Sequence, residues 1–104
     1  MEPNDHIREI VRTIVAHVQP EKILLFGSHA RGQATPQSDV DILVVADMAG
    51  RRRERNRMVR GLFPHRTFGL DVFVYTPREF ESQRRLVNSL GAIADQEGVV
   101  VYER

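Results

Sequence analysis

The stretch Leu24-Leu25-Phe26-Gly27-Ser28-His29-Ala30-Arg31-Gly32, followed by Ser38-Asp39-Val40-Asp41-Ile42-Leu43-Val44-Val45, decides how this chain reads. An apolar run stops at a Gly-Ser turn. A polar loop follows, and a second apolar run opens with two carboxylates two residues apart. Side chains alternate between the faces of a strand, so Asp39 and Asp41 are expected to point the same way. Two ionised carboxylates that close repel each other. A third acid, Asp71, opens the run Leu70-Asp71-Val72-Phe73-Val74-Tyr75. If that run lies beside the one carrying Asp39 and Asp41, three carboxylates converge at one rim of a sheet.

A divalent cation relieves such repulsion. Mg²⁺ prefers oxygen ligands and is held by one or two carboxylates together with substrate phosphates. Backbone N–H groups at the Gly-Ser turn suit one of those phosphates. Aspartate at a strand end is also a common turn or cap residue, and for one acid alone that reading competes evenly.

Outward from this stretch, the chain reads as alternating helices and strands. Residues 4–18 are predicted helical, with Ile7, Ile10, Val11, Ile14, Val15 and Val18 on one stripe, Asn4 as cap and Pro20 past the end. Strands are expected over 22–26, 40–45 and 68–75. A short helix over 29–33 follows the Gly-Ser turn. Residues 48–63 read as a helix anchored by Met58, Val59, Leu62 and Phe63. Thr76-Pro77-Arg78-Glu79 carries a capping box and a first-turn proline. It starts a segment with Phe80, Val87, Leu90 and Ala94 facing inward, Leu86 and Ile93 beside them, and Gly98 at its end. A short strand or extended tail, Val99-Val100-Val101-Tyr102, closes the chain.

The expected fold class is α/β (α+β), a small mixed sheet covered by helices, forming a single domain over 1–104. A Rossmann domain and a P-loop are disfavoured, because neither G-x-G-x-x-G nor a Gly-Lys-Ser/Thr ending is present.

Composition narrows the chemistry. With 104 residues, 41% hydrophobic and 28% charged, the chain has a globular mix. Without cysteine, thiolate catalysis is excluded. The histidines show no metal-ligand spacing. No apolar run nears the ~20 residues that span a bilayer, and the polar N-terminus does not read as a signal peptide. A cytoplasmic location with no membrane contact is the expectation. Net charge is only +1, yet seven of the arginines fall between Arg51 and Arg66. That run reads either as a solvated helix face or as a surface for an acidic partner, RNA or a nucleotide. Few aromatic residues interleave with it, which weakens direct nucleic-acid binding.

Taken together, Gly27-Ser28-x-Ala30-Arg31-Gly32, Ser38-Asp39-x-Asp41 and a later strand Asp71 resemble the nucleotidyltransferase superfamily related to DNA polymerase beta. Within it they are most similar to the minimal nucleotidyltransferase branch (MNT, MntA-like antitoxins), whose common ending also resembles Asp95 to Glu103. The resemblance covers essentially the whole chain and implies a polymerase-beta-like nucleotidyltransferase fold. It assigns nucleotide binding to Gly27, Ser28 and Arg31. It assigns catalysis and metal binding to Asp39, Asp41 and Asp71, with Asp71 also helping to deprotonate the attacking hydroxyl.

Mg²⁺ and ATP are the implied cofactor and substrate. Larger members carry an added helical region, so a second copy or another protein is expected to complete the pocket here. The implied partner is a HEPN-family toxin, an α-helical RNase silenced by transfer of AMP to a tyrosine. Two alternatives stand beside this reading: an antitoxin that neutralises its partner by binding alone, and a nucleotidyltransferase acting on a small molecule.

Overall fold

The computed structural model describes residues 3–35 and 38–104. The cap expected of the Asn4 side chain and the loop positions Pro36 and Gln37 lie outside the described residues.

Helix α1 (Pro3–Val18) precedes strand β1 (Lys22–Phe26) and strand β2 (Val40–Val45). Helix α2 (Arg52–Arg60) leads to strand β3 (Leu70–Tyr75). Helices α3 (Pro77–Gln83) and α4 (Leu90–Glu97) and strand β4 (Val99–Glu103) complete the chain. The four strands form one mixed sheet in the order β3-β2-β1-β4. β1 is antiparallel to β2 and β4, while β2 and β3 run parallel. A parallel pair needs a crossover connection, and α2 lies in that crossover.

The two faces of the sheet follow from strand alternation. Ile23, Leu25, Val40, Ile42, Val44, Leu70, Val72 and Val74 point to one face. There they bury against Ile10 and Ile14 of α1, Val59 of α2 and the following Phe63. Leu24, Phe26, Leu43, Val45 and Tyr75 point to the other, under Phe80 of α3 and Ala94 of α4. This is the predicted mixed sheet covered by helices. α1 ends at Gln19, which takes a left-handed φ of 54° before the buried Pro20.

Several expectations need correction. Residues 27–32 form successive turns, not a helix; their hydrogen bonds close within one tight loop. The arginine-rich helix spans 52–60, shorter than 48–63. Met58 is 62% exposed and does not anchor it; Val59 and Phe63 do. The segment from Thr76 to Gly98 is two helices, not one stripe. The capping box at Thr76 is present. Beyond Gln83, however, the chain turns, Asn88 adopts φ 65° and Ser89 caps α4 through the Ala92 N–H. Val87 stands in that turn at 88% exposure, and Leu86 is exposed with it. Ile93 sits on the outer side of α4.

Candidate active site

The parallel pairing of β2 with β3 sets Asp41 opposite Asp71. Both are second residues of their strands, and both share a face with Leu43, Val45, Phe73 and Tyr75. The Asp41 and Asp71 side chains are close enough to share a hydrogen bond. Such a bond between carboxyls requires a proton on one of them. Burial, that bond, and the nearby charges of Asp71 and then Asp39 push the Asp41 carboxyl up to about 6; His29 pulls it back.

Asp39 lies just before β2, where the Val40 N–H donates to the Gly69 carbonyl at 2.8 Å. Two glycines make room for the acids. A Cβ on Gly69 would overlap the Asp39 carboxylate, and a Cβ on Gly27 would overlap that of Asp41. Gly27 also holds φ +75°, a conformation that other residues avoid.

The turn after β1 stands over this pair, because Phe26 is paired with Asp41. Its backbone bonds use the N–H groups of Ala30, Arg31, Gly32 and Gln33. The Ser28 and His29 N–H groups take no part in those bonds. His29 Nε2 lies 3.4 Å from the Ser38 carbonyl, tying the turn to the residue before Asp39. Phe26 and Phe73, with ring centroids 6.0 Å apart, form the apolar floor beyond the acids.

The donor set suits a hard divalent cation. Asp41 and Asp71 are adjacent, and the charges of Asp71 and then Asp39 disfavour the ionised Asp41. Among the described residues no group of three or more His, Cys, Asp or Glu side chains is arranged so that it could hold a metal ion by itself. A pair of carboxylates completed by substrate phosphates is the arrangement that Mg²⁺ accepts.

The structure therefore brings together Gly27, Ser28, Asp39, Asp41 and Asp71. The Arg31 side chain, in the same turn, is exposed and donates to Gln33 Oε1 at 3.3 Å. Sequence reasoning missed Gly69 and the bridging position of His29. Gly69 had a signal, because it stands two residues before Asp71 and so on the same face. His29 had none beyond its place in the turn.

A nucleotidyltransferase domain model matches residues 5–65, which hold the turn, Asp39 and Asp41. The chain belongs to the nucleotidyltransferase domain family. Two putative protein adenylyltransferases of Methanocaldococcus jannaschii are similar over shorter stretches. One is 61% identical over 28 residues, covering 27% of this chain; the other is 49% identical over 41 residues, covering 38%. Each match spans 28% of the relative's own length.

Among solved structures, a putative nucleotidyltransferase from Sulfolobus solfataricus superposes with a TM-score of 0.67 at 23% identity. The match covers 96% of this chain and 79% of that one. A toxin–antitoxin crystallised with AMP-PNP gives a TM-score of 0.53 at 20% identity, covering 93% and 73%. These likenesses establish the shared fold. Among the described residues no helix is long and apolar enough to cross a membrane.

Proposed function

We propose that this protein transfers AMP from ATP to a hydroxyl of a partner protein, and that Asp39, Asp41 and Asp71 are its catalytic acids. The observation that carries the reading is the register of Asp41 against Asp71 beneath the Gly27-Ser28 turn. The names of the two M. jannaschii relatives support the adenylyl group, and the fold shared with a toxin–antitoxin structure supports a toxin partner. A HEPN-family toxin and its tyrosine come from the minimal nucleotidyltransferase resemblance.

The roles follow from chemistry. The Gly27-Ser28 turn offers backbone N–H groups to the β- and γ-phosphates. Asp39 and Asp41 would hold Mg²⁺ against those phosphates, and Asp71 would share in a second metal position. Bound there, Mg²⁺ supplies neutralisation of the leaving pyrophosphate and lowers the pKa of the attacking hydroxyl. The acceptor oxygen attacks the α-phosphorus as the bond to pyrophosphate breaks. Asp71 takes the hydroxyl proton, because it lies on the open side of β3. The apolar floor of Phe26 and Phe73 keeps the dielectric low, where charge stabilisation counts most.

A second reading, neutralisation by binding alone, is favoured by one observation: the side chains of Arg53, Arg57 and Arg60 pair with no described residue. The test for both uses purified protein, Mg²⁺ and α-³²P-ATP, with and without the product of the adjacent gene. Label on that partner, lost with Asp41→Asn, supports transfer. A tight, silencing complex that carries no label and survives Asp41→Asn supports masking.

A further inference from the structure

The seven arginines between Arg51 and Arg66 do not act as one surface. Arg55 is 4% exposed. It donates to Glu79 at 2.6 Å and to the carbonyls of Gly50 and Met48, and so joins α2 to α3. Arg52 lies over the Tyr75 ring at 4.4 Å and 3.8 Å from Glu79. These two are structural.

Arg53, Arg57 and Arg60 differ. They recur at helical spacing on one exposed face of α2. Like charges at that spacing cost stability, and no described residue offsets them. Between them Asn56 accepts a 2.6 Å hydrogen bond from the Val74 N–H. β3 is the last strand of the sheet, so Asn56 holds α2 against its outer edge. The result is a groove of about 540 Å³ whose lining includes Arg52, Arg53, Arg57, Arg60, Asp71 and Phe73 beside Asn56. One wall carries the unpaired guanidinium groups of Arg53, Arg57 and Arg60 beside the paired Arg52, and the acid proposed to receive the acceptor's proton also lines the groove.

We infer that this groove seats the acceptor, and that the acceptor segment is an acidic, extended stretch of polypeptide flanking the modified hydroxyl. The inference rests on the nucleotidyl-transfer reading and adds the chemistry of its substrate. Three carboxylates and a triphosphate repel any anionic acceptor, whereas a basic wall beside Asp71 draws one in on the correct side. Arg53 and Arg57 are separated by about 6 Å along the helix axis. Same-face side chains of an extended peptide repeat at about 6.6 Å, so alternate acidic residues meet Arg53 and Arg57, each of which donates bidentately to a carboxylate. The spacing also fits successive phosphates of a nucleic acid. The lining favours peptide over that ligand: Phe73, half-buried and tilted against Phe26, is the groove's only aromatic, so successive bases find no run of stacking platforms.

The test titrates fluorescein-labelled peptide of alternating glutamate and serine with one tyrosine, and an RNA oligonucleotide of equal charge, into wild type and Arg53→Glu/Arg57→Glu/Arg60→Glu. Arg78→Glu, an exposed reversal outside the groove, is the control. Wild type and the control are expected to bind the peptide equally, and the triple variant at least tenfold more weakly, with ATP affinity and melting temperature retained. In label transfer, the triple variant is expected to raise the KM for the acceptor and leave kcat near wild type. Tighter binding of RNA than peptide overturns the inference, as does loss of ATP binding in the triple variant, an unchanged acceptor KM, or no peptide binding by wild type. Peptide binding that behaves as expected while no transfer occurs under any condition removes the transfer reading and leaves the groove as an acidic-peptide site.

Discussion

At the scale of single residues, the aspartate proposed as catalytic at position 41 weighs against the fold. Asp41 has a folded-state pKa of about 6 against an ordinary 3.8. The folded state therefore binds that proton more tightly than the unfolded chain. The penalty is absent below about pH 4, grows as pH rises to about 6, and is complete above it. Asp41→Asn is expected to stabilise the metal-free protein at pH 7.5 by about 1 kcal/mol after allowing for partial exposure, or roughly 5 °C in Tm. Below pH 4 the two proteins should melt together. Scans from pH 3.5 to 8 in EDTA check this, and a variant that melts lower at every pH contradicts it.

Gly69 gives a second prediction at this scale. The Gly69→Ala methyl would overlap the Asp39 carboxylate, so Asp39 must turn away. Transfer activity is expected to fall at least tenfold while the circular dichroism spectrum is unchanged. Gly69→Ala at full activity would mean that Asp39 is dispensable.

At the scale of elements, what was legible in the sequence followed the strength of each local signal. The strands were plain, because alternating apolar residues and strand-opening acids leave little choice. The capping box placed the start of α3 for the same reason. The break between α3 and α4 was hidden: Leu86, Val87, Leu90 and Ile93 mimic helical spacing, yet Val87 projects into solvent. Apolar spacing cannot tell a stripe from a turn when Asn88 carries the left-handed residue in place of glycine. Val87→Ser is accordingly expected to change stability by less than about 0.5 kcal/mol, the range of surface substitutions. A loss near 2 kcal/mol in chemical denaturation would mean that Val87 is buried after all.

Arg55 was equally hidden inside a charged run; its burial rests on the distant Glu79 together with the Gly50 and Met48 carbonyls. Glu79 sits below its ordinary pKa: burial opposes this, but the Thr76 N–H and the Arg55 and Arg52 charges outweigh it. Its stabilisation is therefore full above the unfolded value near 4.5 and lost as pH falls through the lower folded value. Glu79→Gln is expected to cost about 2 kcal/mol at pH 7, less than a fully buried pair because Glu79 is partly exposed. That difference should shrink in denaturant titrations at progressively lower pH.

At the scale of the whole molecule, the candidate site exists because coverage of the sheet is unequal. One face is closed by α1, α2 and the loop after it. The other is closed by α3 and α4 over Leu24, Val45 and Tyr75, while the strand ends carrying Asp41 and Asp71 stay open. The sequence placed the acids at strand starts, but only the parallel pairing of β2 with β3 puts two of them side by side. That pairing depends on α2 crossing between the strands, a long-range fact that no local spacing encodes.

On the proposed nucleotidyl-transfer reading, nucleotide and metal binding are expected to be interdependent. A triphosphate alone meets Asp39, Asp41 and Asp71 as repelling charges, and Mg²⁺ alone lacks the phosphate oxygens that complete its shell. Each ligand lowers the cost of the other, so their stabilisation should exceed the sum of the parts. At a hundredfold excess over Kd, a ligand bound only by the folded state adds about 2.7 kcal/mol. Thermal melts with ATP and EDTA, with Mg²⁺ alone, and with both are expected to show small shifts for the first two and roughly 10 °C for the pair. Asp39→Asn should abolish the cooperative part. An equal shift with ATP in EDTA would place the nucleotide away from the carboxylates and count against the site.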